Sequence, residues 1–286
     1  VGSALASLGA EVTPIVSTSQ FGLQQIKYHF RNNSIDTSHI KTDGKASVTT
    51  AMEFKNQDEK TNVMIRDLGT LADFGPAHLD EGDYSLIEAS DYVCLFNWAG
   101  TLKFGTALAQ TIFDTVKQKG KGKTYYDTAD PNPNANTIPD LMEKVLKTDK
   151  VDILSLNENE AITYASLLDE GLNEGKAGLE FAELALESAR VLANLLPARI
   201  DLHTTAFSAT FKGKKEVVVP AFKVKVFRAT GAGDAWDAGN ILGDHNGLSD
   251  ESRLMLANAV AACYLSDPDG LHPTKEKLSS FLRDYV

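Results

Sequence analysis

Cysteine is scarce: the 286 residues hold two, Cys94 and Cys263, both inside apolar runs. So few thiols argue for buried, unpaired side chains in a reducing compartment, and a cytoplasmic location is expected. Positive charge is short as well. Twenty-eight Lys and Arg stand against 39 Asp and Glu, a formal net charge of −11, which argues against nucleic acid or an anionic membrane as partner. No apolar run approaches the roughly 20 residues that a spanning helix needs, so no membrane segment is expected. A basic region ahead of an apolar core is missing, and with it any sign of a signal peptide. The six histidines are scattered without metal-ligand spacing, and none is assigned to catalysis or to a metal.

What is present is ordinary for a globular protein: 43% hydrophobic and 23% charged residues, ample for one large α/β domain over 1–286. The chain opens mid-pattern with "VGSALASLGAEVTPIV", a helix of small residues ending at Gly9 and then an expected strand at 11–16. Residues upstream of this opening are expected. A helix is expected at 20–33, and strands 46–54 and 61–67 alternate with period two around the polar turn "KNQDEK", as a hairpin would. From residue 91 strands and helices alternate: strands 91–96, 123–127, 151–156 and 199–203, with helices 103–118, 138–147, 157–169 and 179–195. That rhythm predicts a mostly parallel sheet covered by helices on both faces. Short strands follow at 207–211 and 215–219, then helices at 233–243, 250–266 and 274–285. The loop-like runs are 127–140 and 169–178.

Chemistry concentrates in "RATGAGDAWDAGNIL", residues 228–242. Glycines at 231 and 233 let successive N–H groups converge without a Cβ between them. A helix start adds unpaired N–H groups and the positive end of its dipole. Gly231, Ala232 and Gly233 thus predict an anion hole, and Asp234 stands beside it as a candidate general base for phosphoryl transfer. A second pair, Asn157 and Glu160, lies three apart at a helix start after a strand. The residues alone favour a capping box; two oxygen-bearing side chains there also suit a Mg²⁺–nucleotide complex.

"TGAGDAWDAGNIL" resembles the C-terminal signature of the ribokinase-like (PfkB-type) carbohydrate kinases. Three more stretches fit in order: "SALASLGAEV" resembles the family's first helix, "LNENEA" its Asn-x-x-Glu motif, and "LANAVAACYLSDPDG" the helix beside the nucleotide base. The family's first strand and its Gly-Gly and Asn substrate motif are missing from the chain. The resemblance implies a ribokinase-like three-layer sandwich with a mostly parallel central sheet and a small β lid, contributed by about 11–16 and 46–67. It implies ATP and Mg²⁺, Asp234 as catalytic base, and Asn157 and Glu160 at the metal. It places Thr204, Thr230 and Asn258 at the nucleotide and, more loosely, Asp127 and Asn97 at the substrate. A homodimer through the lid fits the same resemblance.

Three departures stand out. Arg228 and Ala229 replace the family's Asp and Thr before the Gly-Ala-Gly-Asp turn, and a guanidinium there should repel K⁺. Alanines 206 and 209 stand where the nucleotide loop tends to carry glycine. The segment "DTADPNPNAN" lacks the arginine of the family's Asp-x-Asn-x-Arg run. The expected activity is a sugar kinase; a nucleoside kinase of the same fold and a non-catalytic sugar-binding homologue are the alternatives.

Overall fold

The computed structural model describes residues 1–31, 35–56, 59–169 and 179–285. Its first elements are α1 (Gly2–Ser7), β1 (Val16–Ser17), α2 (Gln20–His29), β2 (Ile40–Lys41) and the hairpin β3 (Val48–Asn56) and β4 (Glu59–Asp67). Then come α3 (Glu81–Ala89), β5 (Tyr92–Phe96), α4 (Gly105–Lys119) and β6 (Lys123–Asp127). Next are α5 (Ile138–Leu141), which runs on as a wider turn over Met142–Leu146, β7 (Ile153–Leu156), α6 (Glu158–Leu168) and α7 (Phe181–Leu195). Last come β8 (Arg199–His203), β9 (Phe207–Lys212), β10 (Lys215–Pro220), α8 (Ala232–His245), α9 (Asp250–Leu265) and α10 (Lys275–Tyr285).

One six-stranded sheet, in the order β10-β9-β8-β7-β6-β5, forms the middle layer. Strands β5 to β8 run parallel; β9 and β10 return antiparallel at one edge. The strand–helix alternation is therefore borne out, with a mixed edge where the rhythm breaks after residue 205. On one face the largest core packs Phe113, Tyr126, Leu141, Leu154, Tyr164 and Leu192 beneath α4 to α7. The other face is covered by α1, α8, α9 and α10, with Leu8, Ala235, Val260 and Leu278 in one core. Both cysteines are free thiols, Cys263 buried and Cys94 half-buried.

Two local expectations change. The strand expected at 11–16 is reduced to a bridge from Val12 to Ile35 and the two-residue β1, which pairs with β2. Pro14 lies between them and has no N–H for a ladder. Helix α3 was not anticipated; Asp80 and Asp83 cap its start reciprocally, each carboxylate accepting the other's N–H at 3.0 Å. Residues 32 and 33 of the expected helix 20–33, the tip of the "KNQDEK" turn and most of the 169–178 loop lie outside the described residues. The hairpin strands themselves pair antiparallel from Val48–Asp67 to Asn56–Glu59, in a sheet separate from the central one.

Candidate active site

Register decides what meets at the carboxyl end of the sheet. Tyr125 lies beside Ile153 and Arg199, and Asp127 beside Ser155 and Asp201. Alternation sends these residues, with His203, to the face that α8 covers. Helix α8 answers with a stripe at three- and four-residue spacing: Asp234, Asp237, Ile241 and Asp244. A polar seam between sheet and helix results.

The seam opens at the head of α8. Gly231 caps the helix at φ 91°, the left-handed region that an L side chain adopts only at a cost. A Cβ there would also lie 2.7 Å from the Tyr264 hydroxyl, which donates to the Thr230 carbonyl at 2.7 Å. Gly233 sits on the His203 ring, where a Cβ would be 3.1 Å from Cε1. The N–H of Ala232 turns back to the Ala229 carbonyl at 3.1 Å, so it closes the turn instead of facing outward. Asp234, in the first turn, is 55% exposed, with one oxygen 3.4 Å from the amino nitrogen of Val1. A carboxylate at this place can reach solvent.

Asn157 and Glu160 form a full capping box. The Asn157 side chain accepts the Glu160 N–H at 3.0 Å, one Glu160 oxygen accepts the Asn157 N–H at 3.0 Å, and the other takes the Asn157 amide at 2.7 Å. Glu160 is 3% exposed. Burial, then the charge of Asp127, push its carboxyl up to about 8.

Asp127 closes β6. One of its oxygens accepts the Ala129 N–H at 2.8 Å, and its carboxyl faces Asp237. Burial and the Asp237 charge raise it well above the usual carboxylate range. Asp237 is fully buried; its Oδ1 accepts the Tyr125 hydroxyl at 2.7 Å and the Ser155 hydroxyl at 2.6 Å. Burial pushes it up to about 6. His203 packs at a 35° tilt on Trp236 with ring centroids 5.0 Å apart, and burial lowers its basicity. Asp127, His203 and Asp237 offer ligand atoms all within 4.8 Å of one another. The sequence reading assigned no histidine and passed over Asp237.

The other candidates fall in different places. The Thr204 hydroxyl donates to the Phe207 carbonyl at 2.7 Å and accepts the Ala206 and Phe207 N–H groups, so it builds the turn between β8 and β9. Ala206 is exposed in that turn, whereas Ala209 is a buried residue of β9. Asn258 is buried, accepting the Trp236 indole at 2.9 Å and donating to the Val219 and Pro220 carbonyls. Asn97, exposed at φ 62°, follows β5, and its N–H bonds the Asp127 carbonyl at 3.0 Å. The Trp98 indole turns inward to Thr106 at 3.1 Å. Arg228 does not wave in solvent: its guanidinium lies against Gly270 and donates to the Pro268 carbonyl at 3.0 Å.

Among the described residues, no helix is long and apolar enough to cross a membrane. The model of the pfkB family carbohydrate kinases matches residues 1–277. An adenosine kinase from Sinorhizobium meliloti superposes with a TM-score of 0.76 at 18% identity, covering 100% of this chain and 81% of that one. An Arabidopsis thaliana ribokinase, solved with ribose and ATP, superposes at 0.73 and 18%, covering 99% and 85%. At that identity these structures carry the fold, which is ribokinase-like. In sequence, a Bacillus subtilis ribokinase is 30% identical over 129 residues, a match spanning 44% of this chain and 42% of the relative. With the family model matched over nearly its whole length, the chain belongs to the pfkB family of carbohydrate kinases.

Proposed function

We propose that the protein transfers the γ-phosphoryl group of ATP to a hydroxyl of a small carbohydrate, with Asp234 as base. The observation that carries this reading is the head of α8, where a left-handed Gly231 opens the helix and an accessible carboxylate stands one turn in. Asp234 takes the proton of the acceptor hydroxyl as its oxygen bonds to the γ-phosphorus. The bond to the bridging oxygen breaks, and ADP leaves with that electron pair. The Gly231–Gly233 turn and the helix dipole hold the charge on the moving group. Because the Ala232 N–H is spent within the turn, the Gly233 amide and those after it take that part.

Mg²⁺ suits the same end of the sheet. Asp130 lies close enough to Glu160 to raise its pKa, and Glu158 accepts the Thr205 N–H at the same strand ends at 2.9 Å. Asn157 and Glu160 would hold the ion through water, and it would neutralise phosphate charge. Thr204, Thr230 and Asn258 shape the nucleotide side through their backbone and the walls they tie together. Asp127 and Asn97 lie toward the acceptor. The hairpin β3–β4 acts as the lid that excludes water, with 1–286 working as one kinase domain. Its exposed Val48, Phe54, Met64 and Ile65 also favour a lid-to-lid homodimer.

A nucleoside acceptor is the second reading, favoured by the adenosine kinase neighbour. The test is ADP release with ATP and Mg²⁺ against pentoses, hexoses, sugar acids and nucleosides, with Asp234→Asn alongside. Turnover on one class, lost about 10²–10⁴-fold in Asp234→Asn, is expected. Ligand binding without turnover by the unmodified protein would instead point to a non-catalytic homologue.

A further inference from the structure

We propose that Asp127, His203 and Asp237 form a binding site for a divalent transition-metal ion beneath the Gly231–Gly233 turn, separate from the Asn157–Glu160 pair. Three elements deliver one ligand each: the end of β6, the end of β8 and the second turn of α8. Their donor atoms lie within 4.8 Å of one another, so side-chain shifts of about 1 Å would bring all three to the roughly 2.1 Å that one ion needs.

Two unsatisfied atoms point to an occupant. Asp237 Oδ2 is buried with no hydrogen-bond donor, and His203 Nε2 is buried with no partner. Native interiors rarely leave such groups alone, and a bare exception calls for an explanation. A proton shared between the facing carboxyls of Asp127 and Asp237 would satisfy those two and leave His203 Nε2 without a partner. A metal ion held by one oxygen of each carboxylate and one nitrogen of His203 would give all three side chains a partner.

The surroundings are those of a built site. Asp237 is aimed by the Tyr125 and Ser155 hydroxyls on its other oxygen, and Asp127 is held by the Ala129 N–H. The His203 ring is fixed between Trp236 and the Cα of Gly233. Outer partners of this kind set ligand orientation in metal centres. One imidazole nitrogen with two carboxylates suits a first-row ion such as Zn²⁺, Co²⁺ or Mn²⁺ better than an all-oxygen ion such as Mg²⁺. Because His203 supports Gly233, a bound ion would place positive charge directly behind the anion-holding turn. The site itself does not depend on the kinase reading, since its ligands are in place without nucleotide.

The experiment is Co²⁺ binding to the full chain after chelator treatment, without nucleotide, followed by visible absorption and calorimetry. One equivalent is expected, with bands of mixed nitrogen and oxygen coordination that Zn²⁺ displaces. Asp237→Asn and His203→Gln should each weaken binding at least about tenfold, and Ser155→Ala, which removes a hydroxyl donor to Asp237, about 10–100-fold. Glu160→Gln should keep the histidine-dependent bands. No stoichiometric Co²⁺, or a spectrum of oxygen ligands alone from the unmodified protein, would overturn the proposal, whether or not the variants fold. So would binding unchanged in both ligand variants when their circular dichroism is intact.

Discussion

The seam between the sheet and α8 contains two buried acidic clusters that solve the same problem in opposite ways. Around Asp201 the chain brings its own cations. Arg253, 1% exposed, donates to Asp201 at 2.9 Å, Arg199 donates at 2.9 Å, and the Asn240 amide and Thr210 hydroxyl complete the set. Burial pushes Asp201 up, but the two guanidinium charges outweigh it and hold the carboxyl at about 2. Two residues further along β8 lies His203, and there, among the described residues, the acids have no Lys or Arg partner. Asp127, Asp237 and Glu160 are left to burial and to one another, and all three rise. Tyr125 joins the halves, donating to Asp237 and accepting from Asn240. A fully compensated charge marks structure; an uncompensated one at the strand ends marks a place for a ligand.

The largest difference should appear on mutation. Arg253→Ala leaves Asp201 with Arg199 alone, empties a fully buried site and orphans the Asn240 carbonyl oxygen, and should cost about 3–5 kcal/mol. Asp237→Asn keeps an acceptor for Tyr125 and Ser155 while removing a charge that nothing offsets, so in chelator at pH 8 it should cost less than about 1 kcal/mol or add stability. Urea unfolding of the two variants tests this. Equal losses would break the distinction between the two clusters.

Acid and base should separate the clusters next. Asp201 has a folded value of about 2, below the unfolded value of about 3.9. Its contribution is present above the unfolded value and is lost as pH falls from about 4 toward 2. Asp237 at about 6 and Glu160 at about 8 bind protons more tightly folded than unfolded. Their contribution is present below pH 4 and is lost as pH rises through about 4 to 8. Metal-free protein should therefore melt highest near pH 4 to 5 and decline on both sides. A divalent cation should recover the alkaline side alone. Melting scans with and without chelator check it; a flat alkaline limb would merge the two halves.

Much of this was legible in the chain. The strand–helix alternation from residue 91 predicts the parallel core because each strand is a short apolar run and each helix carries one apolar stripe. The Gly-Ala-Gly-Asp turn announces itself because its chemistry is local, four consecutive residues at a helix start. Asp237 and His203 were missed because nothing local marks them. Only the register of β6 to β8 brings Asp127 near His203, and only the packing of α8 lays Asp237 between them. One signal was available: Asp237 follows Asp234 by three residues, which puts a second carboxylate on the sheet-facing stripe. The side chains of Thr204 and Asn258 are engaged by a turn and by a helix-to-strand tie, contacts that spacing alone does not reveal.

The smallest expected effect concerns Arg228, three residues ahead of the Gly231 turn. Arg228 stands where the resembling kinases carry an aspartate that helps bind a monovalent cation, and its guanidinium is pinned on Gly270 and the Pro268 carbonyl. A fixed positive charge repels a second one at that spot. Turnover should therefore change less than about twofold when K⁺ replaces a bulky organic cation at equal ionic strength, with screening held constant. Arg228→Ala removes the charge and frees the Pro268 carbonyl. If the arginine substitutes for the ion, this variant alone should be slower in the organic cation and recover with K⁺. Activation of the unmodified protein by K⁺ would show that Arg228 is only a tie between two loops, and would confine the chain's own cations to the Asp201 half of the seam.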